Sequence, residues 1–90
     1  MEDYIRVSIQ VAVNLIREQR YSNPQIAKIL GVTALQVHYY SIGKTKTPKP
    51  KVCMKLYKNF KVEGKSLLLN IYKNFNDLQH HYSITEPGQI

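Results

Sequence analysis

Cysteine, acid and long apolar runs are what this chain has least of. Cys53 is its one cysteine, which excludes an internal disulfide and with it a secreted fold stapled by such bridges. The opening Met1-Glu2-Asp3-Tyr4-Ile5-Arg6 has neither the basic flank nor the unbroken apolar core of a secretory leader. No run approaches the ~18 apolar residues that a membrane span needs. On this reading the protein is expected in the cytoplasm, with no membrane partner. Its 90 residues make a single domain, and one this short buries so little of its surface that a partner subunit would help to stabilise it.

The shortage of acid is local. Between residues 23 and 62 there is no Asp or Glu, while Lys28, Lys44, Lys46, Lys49, Lys51, Lys55, Lys58 and Lys61 all fall there. On either side the charges nearly cancel, so this stretch carries the net charge of +7. A block of one sign attracts polyanions over a Debye length of ~8 to 10 Å. Nucleic acid is the first partner to consider, and solvation of an exposed lysine surface is the plain alternative.

The same scarcity argues against catalysis. The six acids are scattered outside the basic block, and no nucleophile, base and orienting group form a set. Cys53 lies on the apolar face of an expected helix and reads as a small buried hydrophobe. His80 and His81 are adjacent, so they point away from one another on a helix and make a poor metal pair. Neither a metal nor a cofactor is expected. Of the tyrosines, Tyr40, Tyr57, Tyr72 and Tyr82 fit core or interface positions, leaving Tyr39 as the aromatic best placed to meet a ligand.

Hydrophobic spacing predicts an all-α fold: a compact five-helix domain over residues 1–82, with 83–90 as a flexible tail. Ile5, Ile9, Ala12, Val13 and Ile16 share a helical face over 4–20. Ile5, Val7, Ile9, Val11 and Val13 also alternate as in a strand, so the first few residues stay open to an extended form. Helix is preferred because no second alternating run exists to pair with a strand. Ser22-Asn23-Pro24-Gln25 has the residues of a helix start, and Gly31 ends that helix near Leu30. Thr33 caps a third helix over 34–42, which Gly43 ends. A basic loop over 44–51 leads to a fourth over 50–60. A long amphipathic fifth helix is predicted over about 65–82, with Leu67, Leu68, Ile71, Tyr72, Phe75, Leu78 and Tyr82 on one stripe.

Residues 23–42, NPQIAKILGVTALQVHYYSI, have the spacing of a helix-turn-helix. Ala27 is small where two helices would touch, Gly31 permits the sharp corner, and Ile26, Leu30, Val32, Val37 and Tyr40 supply the apolar contact. With the following Gly43-Lys44 and the Leu56, Phe60, Val62 pattern, this stretch resembles the lambda-repressor/Cro-like family of phage and bacterial regulators over about residues 12–62. The resemblance implies a five-helix, usually dimeric DNA-binding domain whose third helix enters the major groove. It implies a backbone contact at Asn23, with Thr33, Ala34 and Leu35 at the leading edge of the reading helix. The chain departs from the family's pattern in having Ala34 and Leu35 where polar side chains are usual, Ser41 in place of an acid, and Ile16 in place of an arginine.

From the residues themselves, Ala34 and Leu35 fit contacts to thymine methyls and Gln36 a bidentate pair with adenine. His38, Tyr39, Lys44, Thr45, Lys46 and Thr47 are spaced to reach sugar and phosphate. The broad stripe of the fifth helix is expected to hold a homodimer through Leu68, Tyr72 and Phe75, placing two reading helices ~34 Å apart on a palindromic operator of double-stranded DNA. The functional expectation is a phage- or plasmid-type transcriptional regulator, most simply a repressor. Its rival is a helix-turn-helix scaffold that binds an acidic protein, as an antitoxin or an inhibitor of a host protein would. RNA binding is a weaker third reading, since no stacking sheet or glycine-rich clamp is evident.

Overall fold

The computed structural model describes residues 3–85. In chain order they form β1 (Tyr4–Val7), α1 (Ile9–Glu18), α2 (Asn23–Leu30), α3 (Ala34–Ser41), α4 (Pro50–Asn59), β2 (Lys61–Val62), β3 (Lys65–Leu69) and α5 (Phe75–Thr85). The all-α expectation is thereby overturned: five helices are present, but they share the domain with a three-stranded mixed sheet of order β1-β3-β2. β1 runs parallel to β3, with Tyr4 opposite Ser66 and Val7 opposite Leu69. β2 runs antiparallel to it.

Two places account for the difference. The alternating Tyr4–Val7 segment is a strand, and the helix begins only after Ser8, whose side chain accepts the Val11 N–H. The expected fifth helix is cut in two. Its first part is the central strand β3, entered through a two-residue hairpin loop in which Glu63 and Gly64 both take positive φ, 53° and 80°. That is the mirror-image turn whose twist matches paired strands. Its second part, α5, starts after Asn74, whose side-chain oxygen accepts the Asp77 N–H at 2.8 Å. Ser83 to Thr85 continue α5 and so do not belong to the expected tail; the remainder of that tail, 86–90, lies outside the described residues.

β3 escapes the alternation rule because it is central. Leu67, Leu68 and Leu69 are all buried, one face against α4 and the other within the same core, so the run is continuous rather than period-two. Ala12, Val13 and Ile16 of α1, Ile26 and Leu30 of α2, Val37 and Tyr40 of α3, and Val52, Cys53 and Leu56 of α4 complete a single cluster with them. Leu68, wholly buried, and Tyr72, 6% exposed, are therefore core residues of one chain. Of the residues expected at a dimer surface, Leu68 and Tyr72 are thus turned into the core, while Phe75 is half-buried and stacks on Tyr57 with ring centroids 4.6 Å apart.

Candidate nucleic-acid interface

Local chemistry sets the two helices that meet at Gly31. Ser22 accepts the Gln25 N–H while the Gln25 side chain accepts the Ser22 N–H, a reciprocal capping box, and Pro24 sits in the first turn. Gly31, at φ 75°, takes the left-handed conformation and donates to the Ala27 carbonyl at 2.8 Å. Thr33 then caps α3 by accepting the Gln36 N–H at 3.1 Å. Ala27, 5% exposed, and the buried Val37 lie in the shared core, and α2 packs directly on α3. A helix-turn-helix corner is thus formed where the sequence predicts one. α1 holds it from behind, with Asn14 donating through Nδ2 to the Ser41 carbonyl at 3.1 Å.

The outward face of α3 carries Leu35 and His38 and is continued by Ile42. Leu35 is 57% exposed and Ile42, the residue after the helix, 54%. They stand seven residues apart with Tyr39 between them, the spacing of one helical stripe. Ala34, by contrast, is half-buried and packs on the core. His38, three residues from Leu35 and four from Ile42, is exposed within the same stripe, its ring 6.1 Å from that of Tyr39.

Gln36 faces elsewhere. It is half-buried and lines a cleft of about 420 Å³ with Gly31, Tyr40, Thr45, Thr47, Lys49 and Lys51. The Tyr40 hydroxyl, raised above its ordinary pKa by burial and then by the neighbouring Cys53, stays protonated there. The expected adenine-reading role of Gln36 therefore has no support from its orientation. Thr45 is brought into the same cleft, and Lys44 places its ammonium 4.3 Å from the centre of the Tyr39 ring, a cation–π contact that orients it beside the end of α3. Lys46 is exposed on the same loop.

Asn23 begins α2 and borders a different, open hollow of about 810 Å³ with Asn14, Arg17, Glu18, Tyr21 and Ser22. Its side-chain oxygen is buried without a hydrogen-bond partner. Of the sequence-predicted set, then, Leu35, His38, Tyr39, Lys44 and Lys46 share the outward side of α3 and its following loop, Gln36 and Thr45 share the cleft, and Thr33 spends its hydroxyl on the cap.

Sequence reasoning gave no site role to Ile42, Lys49 or Lys51. Ile42 was legible from its seven-residue separation from Leu35; the two lysines were visible only as members of a charge run. Among the described residues the lysines around α3 have no acidic partner; His81 lies 3.8 Å from Asp77 within α5. Also among the described residues, no three or more His, Cys, Asp or Glu side chains come together as a metal site would require, and no helix is long and apolar enough to cross a membrane. Comparison with protein-family models, with curated proteins and with solved structures finds no match.

Proposed function

We propose that this protein binds double-stranded DNA through its helix-turn-helix and acts as a phage- or plasmid-type transcriptional regulator, most simply a repressor that occupies an operator in the cytoplasm. The observation that carries the reading is the pairing of an outward-facing α3 with lysines that have no acidic partner among the described residues. Lys44 and Lys46 follow the helix, while Lys49 and Lys51 flank the cleft beside it. Lysine ammoniums capture the phosphate backbone, which sets orientation, and α3 then lies in the major groove. The unit of recognition is one helix-turn-helix on one half-site. A second copy, where one pairs, is held by a surface other than Leu68 and Tyr72.

The exposure of Leu35 and Ile42 favours a second reading, in which the same face binds an acidic protein, the apolar pair at the contact centre and the lysines as its rim. Selection of bound oligonucleotides from a random duplex pool at two salt concentrations separates the two. DNA binding predicts an enriched motif and affinity that falls with salt, the slope of log K on log salt being about 0.9 per phosphate neutralised. A pool that returns no enriched sequence, with retention indifferent to salt, would overturn the proposal in favour of the protein partner.

A further inference from the structure

The side chains that α3 and the residue after it expose are Leu35, His38 and Ile42, two of them large and apolar. Leu35 and Ile42 are the two most exposed large apolar residues of the described chain. Other polar groups near them are turned aside: the Thr33 hydroxyl to the helix cap, Gln36 into the cleft beside Tyr40, and the Ser41 hydroxyl to the His38 carbonyl at 2.7 Å. Tyr39 lies half-buried beneath the Lys44 ammonium. His38 alone offers a free polar ring. The stripe from Leu35 to Ile42 is ~10.5 Å long at ~1.5 Å per residue, which spans about three base-pair steps of ~3.4 Å.

Resting on the DNA-binding reading above, we infer that α3 specifies sequence through the 5-methyl group of pyrimidines, with Leu35 as the specificity-determining contact. In the major groove the base edges present donors and acceptors, interrupted at pyrimidine C5 by the thymine methyl or the smaller cytosine C–H. An apolar stripe set against an acceptor or an amino group leaves that group without water or a partner, whereas against a methyl it buries apolar surface on both sides. The lysines that have no acidic partner among the described residues supply the matching charge for the phosphates on either side, which makes a duplex the occupant that fits both features of this face. Thymine-rich steps are selected, and 5-methylcytosine substitutes for thymine.

The test measures binding of the full chain, by fluorescence anisotropy at constant low salt, to four short duplexes of equal length: alternating A·T, the same with uracil for thymine, alternating G·C, and the same with 5-methylcytosine for cytosine. The thymine duplex is expected to bind about tenfold tighter than the uracil duplex, and methylated G·C tighter than unmethylated by a similar factor, as burial of one or two methyl groups would give. Leu35→Ala, at an exposed position whose retained fold is checked by circular dichroism, brings the two members of each pair to within about twofold of one another. Equal affinities within each pair overturn the inference and leave DNA binding standing. Discrimination that persists in Leu35→Ala overturns the assignment to Leu35. Failure to bind any of the four duplexes overturns the DNA-binding reading itself.

Discussion

The ammonium of Lys55 lies 3.0 Å from the point at which a methyl group on Gly31 would sit, so a lysine of α4 closes over the corner between α2 and α3. It stands at the carboxyl end of α2, where the last carbonyls and the helix dipole attract a cation. Lys55 can swing aside from an added methyl; the backbone at Gly31 cannot relax as easily, because its φ of 75° disfavours every residue with a Cβ. Gly31→Ala is expected to cost about 1 to 2 kcal/mol in urea denaturation with an unchanged m-value. A variant as stable as the parent would show that the corner does not require the left-handed conformation.

Leu68 decides between a subunit contact and a core position. Wholly buried within one chain, its replacement by Ala is expected to lower stability by about 2 to 5 kcal/mol, by the same amount at every protein concentration. A loss that grows on dilution would return Leu68 to an interface between copies.

Alkaline pH should weaken the fold through Cys53. Burial pushes its thiol from 9.0 up to about 11, an effect only partly countered by the Tyr72 hydroxyl donating to the sulfur. Between those values the unfolded chain releases the thiol proton and the native chain keeps it. The native state then binds more protons than the unfolded, and stability falls as pH rises through this window, having been fully present below it. Tyr40 and Tyr72, both raised chiefly by burial, steepen the fall at its upper end. Denaturation midpoints measured across the window should decline in the parent and decline less in Cys53→Ala; parallel profiles would remove Cys53 as the cause.

Changing Lys44 and Lys46 together to Glu should weaken binding to every duplex and lower the slope of log K on log salt by about 2, one per lost phosphate contact. Leu35→Ala should leave that slope unchanged and alter only the ranking of sequences. An acidic-protein partner would instead be lost with Leu35→Ala while duplex DNA remained indifferent to both variants.

The helix-turn-helix corner was legible because its signals are local. Ser22 with Gln25, Pro24, Gly31 and Thr33 each act within four residues, and α2 and α3 form where those signals place them. The sheet was not legible, because the partner of Tyr4 is Ser66, and nothing near Tyr4 announces a strand so far along the chain. Leu67, Leu68, Ile71 and Tyr72 also satisfy helical spacing, since a strand buried on both faces carries no alternation to set against it. Glu63-Gly64 was the available clue to the hairpin. For the candidate site, spacing identified which residues lie near α3 but not which way Gln36 turns, a choice made by its contact with the buried Tyr40.

The parallel pairing of β1 with β3 has a consequence for biosynthesis. Among the described residues β3 is the sole hydrogen-bonded strand neighbour of β1, so the first strand emerges from the ribosome long before β3 exists for it to join. The recognition corner can be assembled early, whereas the platform beneath it waits for Leu69 to be translated, and such distant pairings are slow to form. A released fragment ending at Val62 would keep the segments of the first four helices but leave β1 without β3, and a protease should cut that fragment at its amino-terminal end first.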